Sequence, residues 1–260
     1  MKYYKVLVFI CIGFLYQCKS VNNLSKKETN SMDLYLCIGQ SNMAGRATIE
    51  EQDKDSIQNV FLFTGKEDEP WEKAANPLNK YSTVRKGIKM QKLGPSYGFA
   101  KEMVNAMPNK KIGLIVNAKG GTSIEEWKPR GTLYNQAIKQ VRKAMEYGVL
   151  KGVIWHQGET NAGRYDKYMP KIITLIESLR ADLNTPNLPF VAGQLSPDKP
   201  KRNNFNIMIL ELPNTVGNTG VITTENTLTI DDTHFDSASQ RLLGKRYAEE
   251  MLKLISNKIK

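Results

Sequence analysis

A chain of 260 residues has room for one domain with a short extension, and 40% hydrophobic with 24% charged residues suits a globule with a buried core. The net charge of +11 invites a nucleic-acid reading, but the lysines are scattered and no arginine-rich stripe with interleaved aromatics occurs. No nucleic-acid partner is therefore expected; a merely solvated basic surface is the favoured reading, with an acidic polysaccharide as the residual one.

In chain order, Lys2 and Lys5 precede an apolar run over residues 6–16 that meets Cys18, Lys19 and Ser20. Its eleven residues fall short of the about 20 needed to span a bilayer but suit a secretory signal. The stretch LYQC (15–18) resembles a bacterial lipoprotein cleavage site, although Gln17 departs from the usual small residue. Residues 1–18 are thus expected to be a signal peptide, followed either by lipidation of Cys18 and membrane anchoring or by simple cleavage. Either route exports the chain, to the periplasm, the outer membrane or the medium. Residues 19–31, rich in Asn, Ser and Lys, read as a tether, and residues 32–260 as one domain.

Short apolar runs at 34–38, 60–63, 112–116, 149–155, 190–195 and 221–224 are the candidate strands. Helical periodicity separates several of them: Leu133, Ala137, Ile138, Val141 and Ala144 in one segment, Ile172, Leu175, Ile176 and Leu179 in another. A last helix follows Ser237, read as its N-cap. The alternation predicts an α/β fold with a mostly parallel sheet covered on both faces. Residues 64–95 show little periodicity and read as a long surface excursion near the binding edge. Cys11 and Cys18 lie in the signal, so Cys37 is alone in the domain; a disulfide framework is excluded and a buried thiol expected.

The chemistry concentrates in four blocks. Residues 39–46, GQSNMAGR, follow the first apolar run, which places Ser41 at the carboxyl end of a strand where an α/β enzyme can present a nucleophile. A serine needs an imidazole to take its proton, and the chain has two histidines. His234, in DDTHFD (231–236), is the favoured base, with Asp231 three residues earlier to orient it and Asp232 as a competing acid. His156, in VIWHQGETN (153–161), is the rival base, although its place at the end of an apolar strand suits packing. Gln157 beside it carries an amide able to donate to a developing oxyanion. The fourth block, GGTSIEEW (120–127), also follows a strand.

Together these blocks resemble the SGNH hydrolases, in the branch of sialate O-acetylesterase-like and acetylxylan-esterase-like carbohydrate esterases. The likeness covers roughly residues 33–250, and GQSNMAGR and WHQGE are its specific parts. The resemblance implies a three-layer α/β/α sandwich with a flavodoxin-like sheet, acetyl-ester hydrolysis on sugars, and no cofactor. It implies an oxyanion hole made by the N–H of Ser41, one glycine of the Gly120–Gly121 pair, and Gln157. Asp232 stands where the family more often has glycine, and the segment 201–212 lacks an arginine–glutamine pair of the family, which argues against sugar contacts there.

Other readings of the same residues remain open. Glu159 with Asp231 or Glu126 would suit a two-carboxylate glycosidase, but fixing the strand-end loop is the plainer role. A metal on His156, Glu159, Asp231 and His234 lacks a helical ligand pair and is not expected. Gln40, Asn42, Arg46 and Trp127 are candidate substrate or supporting residues, Trp127 more as packing than as a sugar platform. The alternatives for the whole chain are a non-catalytic glycan-binding protein on an esterase fold, and a lipid-directed SGNH esterase or thioesterase. No broad apolar loop segment suggests an acyl pocket.

Overall fold

The structure, a computed structural model, describes residues 32–197 and 199–256, together with Met1. The rest of the expected signal, the tether and the lipidation site at Cys18 lie outside the described residues.

Seven strands form one sheet in the order β3-β2-β4-β1-β5-β6-β7: β1 (Met32–Gly39), β2 (Val60–Phe63), β3 (Trp71–Lys73), β4 (Lys111–Val116), β5 (Gly148–His156), β6 (Phe190–Gly193) and β7 (Thr219–Ile222). All pairings are parallel except β2 with β3. Setting β3 aside, β4 stands between the first two parallel strands, which flavodoxin sets side by side. The run expected at 221–224 pairs two residues earlier, and β3 was not expected at all.

Side chains alternate across each strand, so one sequence feeds two cores. Leu34, Leu36 and Ile38 of β1 face one core, Tyr35 and Cys37 the other. The first core is closed by α3 (Thr132–Ala144), α4 (Met169–Asp182) and α5 (Pro200–Ile209), the second by α2 (Pro95–Ala106) and α7 (Ser237–Ser256). The one-turn helices α1 (Ser41–Ala44) and α6 (Leu212–Thr215) complete the three layers. Burial raises the Cys37 thiol to about 12, so it is a packing residue.

Two expectations change. Residues 64–95 are not simply a surface excursion: Trp71, Ala74, Leu78, Asn79 and Leu93 are buried, because this stretch covers the β2 edge and the carboxyl end of β4. The N-cap of α7 is Asp236, whose Oδ1 accepts the Ser239 N–H at 2.8 Å, while Ser237 Oγ donates to Thr48 O at 2.7 Å. Helices α2 and α7 pack unusually close: a Cβ on Gly244 would lie 2.5 Å from Pro95 O and 2.7 Å from Gly98 Cα.

Candidate active site

The chain leaves β1 in one direction and β5 in the other, which opens a crevice at their carboxyl ends. There Gly39 lies opposite His156, and Gln40 donates its N–H to His156 O at 2.9 Å. Only glycine fits position 39: φ is +141° and a Cβ would come within 2.2 Å of His156 O. This tight exit lifts Ser41 onto the first turn of α1, whose leading N–H groups have no intrahelical acceptor.

Ser41 Oγ lies 3.0 Å from His234 Nε2, and His234 Nδ1 lies 2.7 Å from Asp231 Oδ2. The other Asp231 oxygen accepts the backbone N–H of His234 at 2.8 Å and of Thr233 at 3.2 Å. Burial acts to raise the Asp231 carboxyl, but these bonds from His234 and Thr233 outweigh it and hold it below its ordinary value. Asp231 therefore stays ionised, so it can keep a proton on Nδ1 and leave Nε2 to receive the serine hydrogen. Asp232 plays no such part. It takes φ +58°, the left-handed conformation in which glycine is at home and aspartate is tolerated, and its carbonyl accepts a hydrogen bond from Arg202 at 2.6 Å.

Asn42 ties this loop to the serine turn. Its Nδ2 donates to Glu159 Oε1 at 2.6 Å and to Thr233 O at 3.0 Å, and its Oδ1 accepts the Phe235 N–H at 3.2 Å. One buried amide thus fixes the loops after β1 and β5 and the one before α7, and Glu159 supports the loop, as the plainer reading had it.

On the other side of Ser41 stands Gly120, where a built Cβ would lie 3.4 Å from Ser41 Cβ, whereas Gly121 (φ +75°) faces Lys86. Gln157 departs from its expected place. It is buried and does not line the cleft; its Nε2 faces Thr122 O (3.0 Å), Asn161 Oδ1 (2.9 Å) and Gln40 Oε1 (3.2 Å). Two amide hydrogens already have three acceptors, and Tyr168 Oη donates to the Gln157 oxygen at 2.8 Å. Gln40 does line the cleft, and since Gln157 takes its oxygen, its nitrogen is the end without an acceptor among the described residues.

The remaining candidates sort by contact. His156 is fully buried, and because Tyr247 Oη donates to Trp155 O (2.8 Å), its Nδ1 donates to Tyr247 Oη (3.0 Å). Burial pushes its pKa down, and its ring packs edge-on against Phe235, behind the His234 loop. Trp127 is buried against Trp155 with Nε1 on Thr122 Oγ1, so it is packing and not a sugar platform. Glu126 closes a capping box with Ser123. Arg46 ties its loop through Gly45 O and Met90 O and also lines the cleft. Among the described residues no three metal-ligating side chains converge.

The cleft, about 420 Å³, is lined by Ser41 and His234 and also by residues that pattern reading missed. Chief among these are Lys199, Lys201 and Arg202. The absent arginine–glutamine pair argued against contacts from 201–212, yet Pro200 starts α5, and Lys201 and Arg202 in its first turn line the cleft wall. A proline at a helix start was the readable signal.

A serine–histidine–aspartate line at the carboxyl edge of a mostly parallel, two-face-covered sheet is the arrangement of the SGNH hydrolase class. The family model for "carbohydrate esterase, sialic acid-specific acetylesterase" matches residues 31–253, and the chain belongs to that family. A probable carbohydrate esterase of Arabidopsis thaliana is 31% identical over 176 residues, spanning 61% of this chain and 66% of that protein. The solved structure of the Arabidopsis protein superposes with a TM-score of 0.77 at 26% identity, covering 86% of this chain and 99% of that one. A carbohydrate acetylesterase of Xanthomonas citri shares the fold at TM-score 0.68 and 23% identity, over 86% of this chain and 57% of the other.

Proposed function

We propose that this protein is an exported esterase that removes O-acetyl groups from a carbohydrate through an acyl-enzyme on Ser41. One observation carries the reading: Ser41 Oγ, His234 and Asp231 stand in line at 3.0 Å and 2.7 Å. Ser41 Oγ attacks the acetyl carbonyl as its proton passes to His234 Nε2, and Asp231 stabilises the imidazolium. The tetrahedral oxygen is held by the N–H groups of Ser41 and Gly120 and by the Gln40 amide. Collapse breaks the bond to the sugar oxygen, which takes the proton from His234 Nε2 and leaves as a hydroxyl. Water then gives a proton to His234 as it attacks the acetyl-serine, and His234 returns that proton to Ser41 Oγ as the ester bond breaks and acetate is released.

Family membership supports an acetylated carbohydrate as substrate. Export, by lipidation at Cys18 or by simple cleavage, is supported by the residue pattern of 2–18. Ser41→Ala and His234→Ala should each remove nearly all acetate release while keeping the folded state, and a serine-directed phosphonate should label Ser41. Full activity in either variant would end the assignment. Model esters separate the acyl classes: a sugar deacetylase loses activity sharply beyond acetyl or propionyl, a lipid-directed enzyme does not.

A further inference from the structure

The cleft carries a charge pattern that ester chemistry does not require. On the Gly120–Gly121 side, a Cβ on Gly120 would lie 2.5 Å from Arg46 Nη2 and one on Gly121 3.3 Å from Lys86 Nζ. On the side of the His234 loop stand Lys199, Lys201 and Arg202, with Arg202 bound to Asp232 O and Thr233 Oγ1. Ser41 and His234 lie between the two groups. Against these cations the wall offers, among the described residues, one carboxylate, Glu159, which Asn42 already holds.

None of the five makes an ion pair with a carboxylate among the described residues; what sets them apart from the other unpaired cations is that they share one concave wall. Arg202 sharpens the point. It is 3% exposed, and among the described residues it is held only by carbonyl and hydroxyl oxygens and its Nε has no partner. Five cations in a concave wall against one carboxylate among the described residues favour an anion from solution, and the field is strongest inside the cleft.

We propose that the cleft takes an O-acetylated polyuronate, a chain of sugars each carrying a carboxylate, with the acetylated residue at Ser41. One neighbouring carboxylate meets Arg46 and Lys86; another meets Lys199 and Lys201, with the charge of Arg202 behind them. A neutral xylan leaves both groups of cations unanswered, and a lone acidic sugar answers one. The proposal names the substrate of the esterase site above and so rests on that reading.

The test compares three acetylated substrates: an oligogalacturonate with free carboxylates, the same oligomer methyl-esterified, and a monosaccharide bearing one carboxylate. The free-acid oligomer should give at least about tenfold higher kcat/KM than the other two at low salt, the lower end of what electrostatic steering supplies. The gap should narrow as ionic strength rises. Lys199→Gln combined with Lys201→Gln should reduce the ratio of free-acid to esterified kcat/KM. Equal rates on the free-acid and esterified oligomers would overturn the proposal, as would a monosaccharide that matches the oligomer. p-Nitrophenyl acetate reports on the esterase reading separately. If it is not hydrolysed, titration of Ser41→Ala with unacetylated oligogalacturonate still decides: salt-sensitive binding that the esterified oligomer lacks supports the subsite, and its absence sinks it.

Discussion

The exchange of amides between Gln40 and Gln157 makes a prediction that separates chemistry from stability. In Gln40→Ala the oxyanion loses one donor, which typically costs about two to three orders of magnitude in kcat, or about 2.7–4 kcal/mol. Stability should barely change, because the two Gln157 amide hydrogens keep Thr122 O and Asn161 Oδ1 as acceptors. Gln157→Leu reverses the balance. It strips Thr122 O and Gln40 Oε1 of their donor, and two buried unsatisfied acceptors cost about 1–3 kcal/mol each. Asn161 Oδ1 retains the Ile124 N–H, so it adds little. The Leu variant should therefore lose about 2–6 kcal/mol of stability by the same arithmetic. Calorimetric melting and kcat on an acetyl ester, measured on both variants, decide the matter. Normal kcat in Gln40→Ala, together with a hundredfold loss in Gln157→Leu at unchanged Tm, would refute the assignment and make Gln157 the donor.

Gly244→Ala forces a methyl against Pro95 O and Phe99 N and should separate α2 from α7, at a cost of about 1–3 kcal/mol, read as a lower Tm with kcat unchanged below the melt. Burial acts to raise the Glu125 carboxyl, but Lys171, Asn161 and its neighbours outweigh it and bring it from 4.5 to about 2. A depressed folded pKa gives stability that is complete above the ordinary value and lost as pH falls through the lower one. Glu125→Gln should accordingly flatten the wild-type decline of Tm between about pH 4.5 and 2, and a parallel decline in both proteins would refute this.

The sequence was most legible where its physics is local. Central strands bury both faces, so β1 and β5 read as apolar runs, and the amphipathic faces of α3 and α4 declared themselves by spacing. The three residues of β3 are too few to carry a period, and in α2 the glycine that permits the close α7 crossing also dilutes the helical signal. At the site, Ser41, Asp231 and His234 were legible because the chemistry requires those residue types in recognisable blocks. Gln40 and Gln157 were not separable: which amide faces the cleft depends on Asn161, Thr122 and Tyr168, which meet only in three dimensions. For Arg202 the proline that starts α5 was the one hint, since its partners among the described residues, two backbone carbonyls and the hydroxyls of Ser196 and Thr233, meet it only in three dimensions. Asp232 takes the left-handed conformation that glycine, the more usual residue at its position in the resembled family, adopts freely.

The proposed nucleophile and base are 193 positions apart, one just past the first strand and the other just before the final described helix. A ribosome-bound chain halted short of His234 would hold a serine with nothing to deprotonate it. On the proposed mechanism, ester cleavage is an all-or-nothing clock for this polypeptide, starting only once its tail has come home, and a chromogenic acetate could time that arrival during synthesis.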